Sequence, residues 1–207
     1  MLKQWLIVLT LAGTMGAGLA VAQDKDPAAD AKAAKLAVGV CGTCHGAFGN
    51  SQVPKYPRLA GQNAGYLAAQ LKAFRGQTRG DADAMGFMWG MAAGLDDATI
   101  DSLAAYSARQ KPPAGGGGDA AQIARGGEIF QNGVESAGVP ACSACHGPNG
   151  EGMGEFPRLS GQHAQYLLKQ LGAFQTNMRN VAVMHGVASG LKLQEMEAVA
   201  AFLQSRS

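Results

Sequence analysis

Apolar positions along this chain recur at helical spacing, and they do so in two copies. In "NAGYLAAQLKAFRGQ", Tyr66, Leu67, Gln70, Leu71 and Phe74 share one face of a predicted helix. "DDATIDSLAAYSARQ" repeats the pattern with Ile100, Leu103 and Tyr106. Asp96 and Asp97 stand where they can cap its first turn or meet the positive end of its dipole. "DAKAAKLAVGV" and "DAAQIARGGEIF" predict two further amphipathic helices, each with Asp near its start. No alternating strand pattern stands out. The expected fold is therefore all-α, with glycine-rich loops between helices.

The copies are explicit. "YPRLAGQNAGYLAAQLKAF" (56–74) returns as "FPRLSGQHAQYLLKQLGAF" (156–174), and "MAAGLDDATIDSLAAYSA" from Met91 returns as "VASGLKLQEMEAVAAFLQ" from Val187. Between them "KPPAGGGGD", Lys111 to Asp119, has no apolar periodicity and reads as a linker. The expected domains are 23–113 and 119–207, with 114–118 as the Gly-rich end of the linker. The first 22 residues read as an export signal: Lys3, an apolar stretch, then a small-x-small site at Ala20-Val21-Ala22 that leaves Gln23 as the mature N-terminus. The mature protein is expected in the periplasm.

Composition adds a constraint. Hydrophobic residues make up 47% of the 207 and charged residues 15%, which suits a packed core rather than disorder. Aromatics are only 6%, thin for two domains of roughly 90 residues each, a size at which side chains alone build a marginal core. Another large apolar body could make up the deficit.

All four cysteines lie in "CGTCHG" and "CSACHG": Cys41, Cys44, Cys142 and Cys145, followed by His45 and His146. C-x-x-C-H is the attachment signature of c-type haem. Two thiols three apart project from one side of a tight turn and can add to the two vinyl groups of one haem. The adjacent imidazole then reaches the iron. A dithiol redox motif would need a βαβ context. A zinc site would want its two pairs much closer in sequence. Plain disulfides leave the repeated histidine unexplained. The predicted cofactors are two covalently bound haem c groups.

The sixth iron ligand is sought among methionines. His163 is matched by Asn63 and His185 by Trp89, so neither histidine has a shared role in the repeat. Aligning Ala92-Ala93-Gly94-Leu95 with Ala188-Ser189-Gly190-Leu191 puts Met88 on Met184, while Met91 falls on Val187 and Met85 on Val181. Met88 and Met184 are the expected ligands, with Met91 an open alternative in the first domain. The remaining methionines read as core filling.

With "CGTCHG", "CSACHG", "YPRLAGQ", "FPRLSGQ" and the late Met before A-x-x-L, the mature chain resembles the dihaem class I cytochromes c of the cytochrome c4 family. The resemblance implies two tandem domains, each wrapped around its haem, and the same Met positions as ligands. It also implies that the carbonyls of Pro57 and Pro157 accept the N–H of each haem histidine. By the same resemblance, Arg58 and Arg158 are candidate partners for haem propionates, and the P-R-L-x-G-Q segments bring the haems edge to edge across an interface. Tyr66, Tyr166, Gln62 and Gln162 either hydrogen-bond nearby or serve helix packing. Tyr106 and Phe202 are expected to pack against the first helix of each domain.

Paired His/Met ligation favours outer-sphere electron transfer at positive potentials. The two potentials should differ, and Glu151 and Glu155 would favour the ferric state of the second haem. The formal charge of +2 falls to +1 without Lys3, and the two haems bring the whole near neutral. No basic stripe invites nucleic acid. The leading expectation is a non-enzymatic electron carrier. Its redox partners would be a quinol-oxidising complex on one side and a terminal oxidase or reductase on the other. The alternatives are the dihaem subunit of a flavocytochrome that oxidises sulfide, and a dihaem peroxidase. The latter needs an open iron site, which the paired methionines oppose. Peripheral membrane association and oligomeric state stay open.

Overall fold

The computed structural model describes residues 27–207, so the leader and its cleavage site lie outside the described residues. The first half is built from α1 (Pro27–Leu36), α2 (Gly42–His45), α3 (Ala64–Arg75), α4 (Trp89–Ala92) and α5 (Asp97–Ala108). The second half follows with α6 (Ala120–Asn132), α7 (Ser143–His146), α8 (Ala164–Gln175), α9 (Ala182–Ser189) and α10 (Leu193–Ser205). Among the described residues there is no strand, only the isolated bridges Val134–Val139 and Met153–Phe156. The all-α expectation holds.

The helices start where their sequence says they should. Asp96 accepts from Thr99 N at 2.7 Å, Asp119 from Gln122 N at 2.8 Å and Asn63 from Tyr66 N at 3.3 Å. One detail departs from the expected continuous helix before Cys41. The chain widens into a π-type turn over Ala37–Cys41, and again over Ala84–Met88. Such turns often sit at functional sites, because they shift the side-chain register within an otherwise helical run.

In the first half α1 and α3 pack on α5, and in the second α6 crosses α10 while α8 lies against α9 and α10. The α6–α10 crossing is close because Gly126 has no side chain: a Cβ there would stand 2.0 Å from Ala198 O. Phe202 lies over the neighbouring Gly127 and meets Phe130 at a ring separation of 5.4 Å, the expected packing on the first helix of its half. The second half buries Ile129, Phe130, Leu167, Leu191, Met196 and Leu203 among others. In the first half Phe74, Ala84 and Ala92 cluster beside Leu71, Met88, Trp89 and Leu95, and Leu67, Ile100 and Leu103 are buried as well.

The linker is docked, not slack. Pro112 packs on Gly61 and Pro113 on Gly161. Gly116 N donates to Gln204 O at 2.8 Å, and Gly115 N to Ser207 Oγ at 3.1 Å. A Cβ at Gly115 would lie 2.2 Å from Ser205 O, so this glycine serves close approach rather than freedom. Composition marks the segment as a linker but does not show these contacts, because they are made with residues far off in sequence.

Gly126→Val should overpack the α6–α10 crossing and cost roughly 1–3 kcal/mol or more. A urea titration of the holoprotein checks this, with a lower midpoint expected against wild type.

Candidate metal centres

Each C-x-x-C-H run forms a single helical turn, α2 or α7, that leads straight into a glycine at positive φ: Gly46 at 76° and Gly147 at 83°. That reversal carries the chain away from the histidine and lets a proline return beneath it. His45 Nδ1 lies 2.8 Å from Pro57 O, and His146 Nδ1 lies 3.0 Å from Pro157 O. A carbonyl oxygen only accepts, so Nδ1 carries the proton and Nε2 keeps its lone pair. Burial lowers both imidazole pKa values, against the opposing effect of the proline carbonyls, which keeps both rings neutral and ready to ligate. Tyr56 and Phe156 set their rings edgewise against these imidazoles, at 6.4 and 6.0 Å.

No disulfide joins any of the four cysteines. Burial pushes the Cys41 thiol up and the Cys142 thiol up to about 11. These are neutral, partly buried thiols, unlike the low-pKa thiolates of redox or nucleophilic sites. Among the described residues, no cluster of His, Cys, Asp and Glu forms a bare metal site.

Both motifs face one continuous cavity of about 1200 Å³ that runs through the two halves. Leu67, Leu71, Phe74 and Leu103 line it on one side, and Leu167, Leu171, Phe174 and Val199 on the other. Met88 and Met184 line it too and are half-buried; Met88 is packed against the small core of its half. Met91 also borders the cavity but is 48% exposed, and Met85 and Met178 are exposed without lining it. Tyr106 borders the cavity as well. His185 is engaged elsewhere, its Nδ1 2.8 Å from Phe174 O, just as Trp89 Nε1 donates to Arg79 O at 2.9 Å. The donor set fits haem c in each half: paired thiols, a neutral imidazole with Nε2 free, and a thioether on a shared apolar wall.

The halves meet through a pseudo-symmetric lock. Gln62 accepts from Arg158 N at 2.7 Å and donates to Arg158 O at 2.8 Å. Gln162 does the same with Arg58, both at 2.9 Å. Each glutamine thus imitates a neighbouring peptide group. Such bonds contribute about 0.5–1.5 kcal/mol each, but leaving a buried group unpaired costs about 1–3 kcal/mol, so the lock mainly enforces one relative placement. Arg58 and Arg158, both cavity-lining, differ here. Arg58 already donates to Ser51 O at 3.2 Å and Gly161 O at 2.5 Å, whereas Arg158 Nε is buried without a partner. The residues at 63 and 163 also cross the interface: Asn63 to Gly154 O, and His163 Nε2 to Ser51 O at 2.9 Å.

A second interface cluster escaped the sequence reading. Arg79 Nη1 donates to Gln70 at 2.8 Å, and its Nη2 reaches Gln170 at 2.7 Å and Tyr166 at 3.3 Å in the other half. Arg179 answers with Gln170 at 2.8 Å, Tyr66 at 2.7 Å and Gln70 at 2.9 Å. Each guanidinium also lies over a phenyl ring, Phe74 at 4.8 Å and Phe174 at 4.5 Å. Among the described residues one carboxylate pairs with them: Asp81, 2.7 Å from Arg79 Nε and 3% exposed. Burial pushes the Asp81 carboxyl up, but Arg79 outweighs it and holds it below the usual range. The cluster is therefore donor-rich and net cationic, on the wall of the cavity. Repetition of Gln70, Tyr66 and their partners hinted at it. The arginines did not stand out, because their spacing to the following Met differs between copies.

Two all-α halves, each presenting thiols, imidazole and thioether to an apolar cavity, define a class of protein built around covalently held haem. The sequence profile of the cytochrome c family matches residues 31–107 and 123–207. A cytochrome c4 of Stutzerimonas stutzeri is 40% identical over 188 residues, covering 86% of this chain and 89% of that one. The structure of Acidithiobacillus ferrooxidans cytochrome c4 superposes with a TM-score of 0.76 at 42% identity, covering 80% of this chain and 98% of that one. A thiosulfate dehydrogenase electron acceptor of Thiomonas intermedia (strain K12) is 37% identical over 178 residues, covering 80% of this chain and 78% of that one. This chain belongs to the cytochrome c family and, within it, to the dihaem cytochromes c4; it is an electron-transfer cytochrome with two covalently bound haem c groups.

The interface carries a pH response. Burial, with Arg58 nearby, lowers the pKa of His163 against the opposing pull of Ser51 O. The unfolded chain binds this proton near pH 6.5 and the folded chain only at lower pH, so stability should fall as pH drops below about 6.5. Urea midpoints between pH 7.5 and pH 5 check this; in His163→Asn, which copies Asn63, that part of the slope should disappear.

Proposed function

We propose that this protein is a periplasmic shuttle that takes electrons from a quinol-oxidising complex and passes them to a terminal oxidase or reductase. One observation carries the reading: in each half, a neutral imidazole and a half-buried methionine border the same apolar cavity. Paired nitrogen and thioether ligands would fill both iron positions, which suits outer-sphere electron transfer. Haem c, when bound, supplies a one-electron iron couple. The protein's own part is to hold and tune it. His45 and His146 ligate through Nε2, and Pro57 and Pro157 fix ring orientation and basicity through Nδ1. Met88 and Met184 would each supply a thioether ligand. The half-buried position of Met88 against its core, beside the exposed rim position of Met91, favours Met88. Arg158, with a buried unpaired donor, is the better placed of the two arginines for a propionate; Arg58 is largely spent on backbone carbonyls. A thioether is a weak donor that favours ferrous iron, and an apolar surround adds to this, so both potentials should be positive.

A second reading has a specific support, the relative described as an electron acceptor of thiosulfate dehydrogenase. In it the donor is a sulfur-oxidising dehydrogenase instead of a quinol-oxidising complex. The flavocytochrome alternative belongs to the same kind of role.

Location is part of the proposal. Among the described residues no helix is long and apolar enough to cross a membrane. Fractionation should find the protein in the periplasmic extract.

Two measurements test the reading. Met88→Ala and Met184→Ala should each abolish the near-infrared sulfur-to-iron band of one haem and leave the other; loss of a band in Met91→Ala instead would reassign the ligand. Ferric holoprotein should be reduced by quinol-supplied membranes and reoxidised by membranes respiring on a terminal acceptor. Reduction only by thiosulfate with its dehydrogenase would select the second reading.

A further inference from the structure

The segment that carries the methionine differs in length between the copies. Met88 lies nine residues after Arg79, whereas Met184 lies five after Arg179, a difference of four. The longer stretch, Gly80 to Phe87, contains Asp81 and Asp83; the shorter, Asn180-Val181-Ala182-Val183, contains no carboxylate. Four residues add about one helical turn. Met85 N donates to Asp81 O at 3.0 Å, so the added turn starts at Asp81, and the chain then widens over Ala84–Met88 before entering α4. In the second half α9 begins only two residues before Met184.

Both acids of the added turn are held by the other half. Asp83 forms an ion pair with Lys169 of α8. Asp81 pairs with Arg79 and accepts from Gln170 Nε2 at 3.4 Å, while Arg79 itself donates to Gln170 and Tyr166. Gly80, between Arg79 and Asp81, donates its N–H to Met178 O at 3.1 Å. The far end of the segment returns to the same base. Trp89, directly after Met88, donates its indole N–H to Arg79 O at 2.9 Å. Met88 is thus enclosed in a loop whose base is fastened to α8 and Met178 of the second half.

The second copy is not fastened in return. Ala69 stands where the second half has Lys169, so α3 offers no matching cation. His185, directly after Met184, bonds through Nδ1 to Phe174 O at 2.8 Å within its own half. Arg179 N donates to Ala173 O at 3.0 Å, also within that half. The Arg179 guanidinium reaches Tyr66 and Gln70 across the interface, but the tie from His185 bypasses it.

We propose that Asp81 and Asp83 are positioning residues for the first iron: through them the second half holds Met88 in ligating position. Methionine ligation in the first half therefore depends on how the halves meet, while Met184 is held by its own half. Loosening the interface then frees the sixth position of one iron and leaves the other closed. This rests on the reading of Met88 and Met184 as the iron ligands. A thioether is a weak donor to ferric iron, so a restraint the size of one ion pair is measurable in competition with an added ligand.

The test uses ferric holoprotein with imidazole as the competing ligand. In Met184→Ala the near-infrared band that remains reports Met88, and in Met88→Ala it reports Met184. Lys169→Ala, which copies Ala69, should let about threefold less imidazole remove the Met88 band, the scale of one such pair. Asp81→Asn should act in the same direction and more strongly. Neither change should alter the imidazole needed to remove the Met184 band. Exchanging the pair, Asp83→Lys with Lys169→Asp, should restore the Met88 value. A second readout needs no ligand variant: in the ferrous protein each iron-bound methionine gives its own ring-current-shifted methyl resonance, and Lys169→Ala should perturb that of Met88 alone. General loss of stability would not spare the half that carries the substitution. Equal weakening of both bands would overturn the proposal, as would no change in either, or an exchanged pair that fails to recover. If Met184→Ala keeps both haems but shows no band, the ligand assignment itself fails, a result distinct from unaltered competition by imidazole.

Discussion

Two bonds, Nδ1 of His45 to Pro57 O and Nδ1 of His146 to Pro157 O, decide what the rest of this molecule can be. Because the acceptor is a carbonyl, the proton has one place to go, and the opposite nitrogen is left to bind iron. The positive-φ glycine after each histidine and the P-R-L-x-G-Q return path exist in the form needed to bring that carbonyl beneath the ring. The widened turn before Cys41 belongs to the same arrangement, since it adjusts where the thiols project. The helices supply a frame around these turns, and the cavity is what the frame encloses.

The cavity also shapes the packing. In each half the buried apolar residues are arranged around it: Leu67, Phe74 and Leu103 in the first, Leu167, Phe174, Val199 and Leu203 in the second. A domain of this size has little apolar surface to bury on its own. Covalent attachment lets the cofactor serve as core material that cannot dissociate. The low aromatic content visible in the sequence is the compositional trace of this substitution.

Duplication gives the interface its logic. Gln62 and Gln162 bond to each other's neighbouring backbone, and Arg79 and Arg179 each reach glutamines of both halves. A pseudo-twofold lock of this kind uses one sequence solution twice. The copies also diverge: Asp81 pairs with Arg79 while, among the described residues, no carboxylate forms an ion pair with Arg179, His163 stands in place of Asn63, and Lys55 stands where the second copy has Glu155. Two equal halves would offer a partner no preference between them. These few unmatched residues, lying at the interface and the rim, make the halves unequal while the ligand sets stay the same.

The chemistry was legible in the chain because it is local. C-x-x-C-H places thiols and imidazole on a single turn, Asp96 and Asp119 cap the helices that follow them, and the repeat aligns Met88 with Met184; each depends on spacings of a few residues or on comparison of one copy with the other. The resemblance supplied the proline carbonyls, and the geometry agrees with it. What tertiary structure alone decided involves partners about a hundred residues apart: the glutamine lock, the buried arginine cluster, the His163–Ser51 bond and the docking of a glycine-rich segment that composition describes as loose. No local period encodes such contacts, because they depend on how two finished domains meet. Covalent spacing places thiols and imidazole on one turn before folding, whereas the burial and pairing around them arise only when the halves close on one another.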